Sequence, residues 1–156
     1  MNAQRWLLAG GVMTGVAALL HVAIIVGGPA WYRFFGAGER MARRAASGDP
    51  SAAILTACIA AVLGVWMLYA LSGAGVIRPL PLLRPALVLI AAVYLGRGVL
   101  GIPLVMWTGH SYANELKERM TFMIVTSALC IALGLCYAAG AARLWRQPPE
   151  QGASGS

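Results

Sequence analysis

Charged residues along this chain fall in clusters separated by long apolar blocks. No Asp, Glu, Lys or Arg occurs between Arg5 and Arg33, between Asp49 and Arg78, or between Arg119 and Arg143. A fourth block, from Arg84 to Glu115, is interrupted by Arg97 alone. Each block is long enough for the roughly 20 helical residues that cross a hydrocarbon core of about 30 Å. In that core every backbone N–H and C=O must be satisfied within the segment or a closed barrel, which an apolar helix achieves by itself. The pattern predicts an all-α integral membrane protein. Its four transmembrane helices form a bundle, with spans at about 6–28, 52–72, 86–107 and 120–142.

The breakers fit this division. Gly27, Gly28 and Pro29 stop the first span, and Gly73 and Gly75 stop the second. The first apolar stretch exceeds the roughly 7–15 residues of a secretory h-region, so it reads as a retained helix. Residues 31–48 interleave aromatic and apolar side chains with arginines and predict an interfacial segment between helices 1 and 2, helical and broken at Gly36 to Gly38. Residues 1–146 read as a single domain. The Pro-, Gly- and Ser-rich tail 147–156 reads as disordered, with the composition of an engineering scar. Trp6 and Trp145 mark one interface, and Trp31, Tyr32 and Trp107 the other.

Composition narrows the functional classes. Of the 156 residues 60% are hydrophobic and 11% charged, against about a quarter charged in soluble domains. The net charge of +7 comes from arginines at span ends, where they anchor helices and attract anionic headgroups. The expected partner is therefore the lipid bilayer, with no nucleic acid. Basic residues number five on the terminal side and six on the other. The nearly acid-free terminal side and the tight Arg78/Arg84 turn place the termini in the cytoplasm. The general character of the chain is that of a small bacterial inner-membrane protein. Cys58, Cys130 and Cys136 fall inside spans and form no CxxC pair, so they read as small hydrophobes and not as a disulfide framework.

Arg97 is the residue that sets this chain apart from four plain anchors. It stands 10 residues before Trp107, about 15 Å from the interface at 1.5 Å per residue. A mid-span Arg costs about 2.5 kcal/mol or more on insertion scales, so it is expected to face the interior, a partner or a wet cavity. Tyr94, Arg97, Gly98 and Gly101 share a face of the third helix. Gly11, Thr14, Gly15, Ala18 and His21 form a small-and-polar stripe on the first. Met123, Thr126, Ser127, Cys130, Gly134 and Tyr137 do so on the fourth, and Thr56 enters from the second. These stripes converge, and Glu39, Asp49, Glu115 and Glu118 lie where a counter-ion for Arg97 is expected.

The sequence thus predicts a pocket around Arg97 for an anionic or polar-headed small molecule, lipid or quinone. Its ligand-binding residues are Arg97, His21, Tyr94, Thr126, Thr56, Cys130 and Glu39. Arginine suits carboxylate or phosphate because its planar fork donates two bonds at once. Each residue also has a purely structural reading: Thr and Ser back-bond to the i−4 carbonyl, and small residues pack helices.

Three other classes stay open at this level. The run Glu39-Arg40-Met41-Ala42-Arg43 resembles the Glu-Arg-x-x-Arg opening of the glutathione-using four-span eicosanoid enzyme family, a match of about five residues. That resemblance implies a membrane enzyme of glutathione-transferring type. The Ala-His/Gln-x-Asn continuation is absent, because Arg44, Ala45, Ala46, Ser47 and Gly48 follow Arg43. His21 and His110 form the one histidine pair for haem, and Met120, Met123 and Cys130 offer soft donors to copper. Finally, Gly11-x-x-x-Gly15 and Gly134 suit an accessory or assembly subunit, a homo-oligomer or a membrane-protein partner.

Overall fold

The computed structural model describes residues 3–107 and 120–146. They form six helices: α1 Ala3–Gly27, α2 Pro29–Phe34, α3 Glu39–Ala46, α4 Pro50–Gly73, α5 Leu83–Trp107 and α6 Met120–Arg146. Four of these, α1, α4, α5 and α6, are long and apolar enough to cross a membrane. The chain is an all-helical, multi-pass bundle, and α2 and α3 supply the interfacial segment between its first two spans. His110, Glu115, Lys117, Glu118, Arg119 and the tail 147–156 lie outside the described residues.

The spans run slightly longer than the hydrophobic pattern predicts, for local reasons. Helix α4 starts at Pro50 because Asp49 accepts a hydrogen bond from the Ser51 N–H at 2.9 Å, and proline suits the first helical position. Helix α5 takes in Pro85 within its first turn, where no intrahelical N–H is needed. At the other end, α6 stays helical through Arg143 and Arg146, whose charges favour a helix C-terminus.

Two hydroxyls of α4 hold the α4–α5 turn: Tyr69 donates to the Pro81 carbonyl at 3.3 Å, and Ser72 makes two bonds to the turn. Ser72, 5% exposed, donates to the Arg78 carbonyl at 3.1 Å and accepts from the Leu80 N–H at 2.9 Å. Between them these bonds satisfy a loop whose prolines, Pro79 and Pro81, bring no donors of their own.

Helix α1 lies against α4 and α6, and α5 lies against α6; α4 meets α5 and α6 over shorter stretches. Around the bundle the order is therefore α4, α1, α6, α5, with α1 and α5 across from each other. The main core comprises Leu7, Leu63, Leu87, Ile90, Tyr94, Leu133 and Tyr137. A smaller core of Ile24, Tyr32, Ala42 and Ala52 forms where α2 and α3 pack onto α1 and α4. Tyr32, expected in an aromatic belt, is instead 2% exposed, because α2 turns back onto the bundle. Trp31, Trp107 and Trp145 are exposed, as belt residues are.

Glycines set how closely the helices approach. A methyl group added at Gly11 would stand 3.0 Å from Ala70 Cβ, and one at Gly15 2.6 Å from Met67 Sδ. The GxxxG pair is thus used inside the bundle, between α1 and α4. Helices α5 and α6 interlock reciprocally. A methyl at Gly98 would meet Ile131 Cγ1 at 2.6 Å and the Ser127 carbonyl oxygen at 2.9 Å, and one at Gly134 would meet Leu95 Cγ at 2.6 Å. Because backbone atoms are among those hit, Gly98→Ala should lower unfolding stability in mild detergent by about 1–3 kcal/mol. Gly96→Ala, at a position with nothing within 4 Å, should leave it unchanged or slightly raised; equal effects would contradict this packing.

Candidate functional site

Three places in the bundle hold most of the candidate polar residues. The first is a chain of hydroxyls in the middle of the bundle. Thr14 Oγ1 lies 3.2 Å from Tyr94 Oη and 3.1 Å from Tyr137 Oη, and Tyr137 donates to the Trp66 carbonyl at 3.1 Å. Proton counting fixes the direction. A carbonyl only accepts, so Tyr137 spends its single O–H on Trp66. Thr14 must then donate to Tyr137, and Tyr94 to Thr14. One link comes from each of α1, α5, α6 and α4. Thr14 and Tyr137 are fully buried and Tyr94 is 6% exposed. The Trp66 ring meets Tyr94 edge-on at 5.1 Å. Every donor in this chain is used internally, so Tyr94 is a structural tie here and not a ligand-facing group.

The second place is a cavity of about 290 Å³ lined by His21 and Ile24 of α1, Phe35 and Ala37 of the α2–α3 connection, Met41 of α3, and Leu55, Thr56 and Ile59 of α4. It exists because the chain leaves α1 at Gly28, turns back through α2, and bends again at Gly36 and Gly38, where positive φ values of 71° and 91° favour glycine. The hairpin is held by Arg33, which donates to Glu39 from Nε at 2.9 Å and Nη2 at 3.2 Å. Leu55 and Ile59 are exposed on α4, so the cavity opens towards the hydrocarbon.

Its polar atoms share one character. His21 Nδ1 lies 2.7 Å from the Ala17 carbonyl, which fixes the proton of the neutral ring on Nδ1 and leaves Nε2 with a lone pair. Thr56 Oγ1 donates to the Ala52 carbonyl at 2.8 Å, so it too has only acceptor capacity left. With the His21 ring neutral, the side-chain polar groups of the cavity are acceptors.

Arg97 occupies the third place and is not among the residues lining the cavity. It is exposed, so of the interior, partner or wet-cavity positions expected from its depth it does not take the interior one. The reason lies one turn along α5. The guanidinium lies against Gly101, where a side chain would block it, and so runs along its own helix towards the Trp107 end. Gly101 is the feature that permits this course along the helix. Arg97 makes no ion pair or hydrogen bond with a described residue, while Ser127 Oγ, buried nearby, is likewise without a partner among them.

The remaining candidates separate as well. Thr126 donates to the Phe122 and Met123 carbonyls of its own helix, at 3.0 and 3.2 Å. Cys130 lies partly buried on α6. Glu39 is engaged by Arg33 and, at 4.0 Å, by Arg43, so it does not serve as the counter-ion of Arg97. The motif residues Arg40 and Arg43 are exposed on α3, outside the spans. Among the described residues no three His, Cys, Asp or Glu side chains cluster as a metal site, and His110 lies outside them. The structure therefore unites His21 with Thr56 and leaves Arg97, Tyr94, Thr126, Cys130 and Glu39 elsewhere.

Sequence reasoning placed Thr14 and Tyr137 in polar stripes without giving them a role. It missed the Trp66 carbonyl and the apolar lining of the cavity, for which a backbone oxygen and ordinary Leu, Ile and Phe residues give no signal. No protein-family model, curated protein or solved structure matches the chain.

The hairpin over the cavity carries a pH dependence. The Arg33 hydrogen bond and charge hold the Glu39 carboxyl below its ordinary range. A lowered folded-state pKa stabilises above the unfolded value, about 4.3, and the contribution is lost as pH falls through the lowered value. Amide chemical shifts of Gly36 and Gly38 should therefore stay constant from neutral pH to about 4 and move below it. Glu39→Gln should abolish that transition; its persistence would assign it to another group.

Proposed function

We propose that this protein binds a small neutral amphiphile whose head donates hydrogen bonds, in the cavity between α1, α4 and the α2–α3 hairpin. The observation that carries this reading is the pair of bonds from His21 Nδ1 and Thr56 Oγ1 to helix carbonyls, which leaves a neutral His21 Nε2 and Thr56 Oγ1 as acceptors in an otherwise apolar cavity. A ketone or carboxylate brings further acceptors and finds no donor there while His21 is neutral. A hydroxyl, as in a quinol, a phenol or a lipid alcohol, supplies the missing proton. The volume of about 290 Å³ stands just below the roughly 300–1,000 Å³ usual for ligand clefts. It suits one ring or headgroup, with an attached chain leaving past Leu55 and Ile59 into the bilayer.

We place the protein in a bacterial inner membrane with both termini cytoplasmic. This rests on the basic, nearly acid-free terminal side of the sequence.

The ligand reading is tested with 4-octylphenol and 4-octylanisole on the purified protein in lipid nanodiscs. The two probes differ in whether the oxygen carries a proton. The phenol should bind about tenfold or more tightly than the ether, because a lost hydrogen bond is worth about 1.4 kcal/mol. His21→Leu should erase the difference, and Arg97→Gln should leave it intact. Equal binding of the two probes to the unmodified protein would overturn the proposal.

A further inference from the structure

Arg97 and Ile90 stand on the same edge of α5, seven residues apart. The bundle covers that edge at Ile90, 2% exposed, and leaves it bare at Arg97. Beside Arg97 the bare edge continues through Val93, 45% exposed, and Leu100, 61% exposed, with open space over Gly96. It is an apolar strip about two turns long, with a glycine and a cation at its centre. A helix crossing α5 at an angle contacts about that length, and the glycine admits its backbone.

The cation needs an anion at its own depth. With the guanidinium beside Gly101, the charge lies about 9 Å inside the level of Trp107. Lipid phosphates lie at or beyond that level. No span of this chain contains an Asp or Glu, so a second copy docking here would bring another arginine and no intramembrane acid. Among the acids described, Glu39 is held by Arg33 and Asp49 caps α4.

We infer that this edge of α5 is a docking surface for a transmembrane helix of a different membrane protein, one that carries an Asp or Glu near mid-span to pair with Arg97. Arginine is suited to the task because it stays charged in apolar surroundings and binds a carboxylate through two parallel donors. The inference is independent of the His21 cavity, which α5 does not line.

The test uses the full chain in phosphatidylcholine vesicles with a fluorescent Leu/Ala transmembrane peptide of about 24 residues, bearing one central Glu, and a control peptide with Leu in its place. Energy transfer should report association of the Glu peptide about tenfold tighter than the control. Arg97→Leu should abolish that preference at unchanged helicity and unfolding midpoint, and Arg97→Lys should retain part of it. Arg97→Glu should transfer the preference to a peptide carrying Lys. Equal association of the Glu and Leu peptides, or full retention of the preference in Arg97→Leu, would overturn the inference. Loss of the preference on adding phosphatidylglycerol, with Arg97-dependent retention of that lipid in native mass spectrometry, would also overturn it and assign the edge to anionic lipid.

Discussion

Inside a bilayer, apolar side chains gain little by leaving lipid for one another, because acyl chains are as apolar as leucine. Four helices as uniformly hydrophobic as these need another way to choose partners and register. The Thr14 hydroxyl supplies it. It accepts from Tyr94, donates to Tyr137, and through Tyr137 reaches the Trp66 carbonyl, so one chain of hydrogen bonds includes every span. It also joins α1 to α5 across the bundle, which no backbone approach does. Around it the glycines at 10, 11, 98 and 134 let the helices close to the distance at which these hydroxyls meet.

The rest of the polar chemistry follows from where this tie stands. With the hydroxyls of the centre consumed, the interior there is closed to ligands. Towards the α2–α3 end, the helical hairpin lies on α1 and α4 without filling the space between them, and His21 and Thr56 line what is left. On the α5 edge, cover ends beyond Ile90, and a charge that the bilayer tolerates poorly is left for something else to meet. A closed centre, a small acceptor-lined cavity and a bare cationic edge are three outcomes of one packing arrangement.

Much of the fold was legible in the sequence, because bilayer thickness converts uncharged runs directly into spans. The hairpin was legible too, since Gly36 and Gly38 break an arginine-rich amphipathic stretch. Candidate sites were less so. His21 and Thr56 lie within polar stripes, but stripes on four helices do not say which members meet. Tyr94 and Arg97 shared a helical face on paper, yet Tyr94 turned inward to Thr14 while Arg97 ran along Gly101 to the outside. What decides this is a glycine one turn away and the point beyond Ile90 where the bundle stops covering that edge of α5. Neither is a property of the residue concerned.

Replacing Thr14 with Val keeps the shape and removes both hydrogen bonds, so it tests the central tie most directly. Interhelical hydrogen bonds in membranes average about 0.6 kcal/mol and reach about 1.7; two are lost here, and Tyr94 is left buried without its acceptor. Steric trapping in bicelles should show Thr14→Val destabilised by about 1–2 kcal/mol, with Tyr94→Phe adding little once Thr14 is gone. Unchanged stability in Thr14→Val, or full additivity of the two substitutions, would contradict the account.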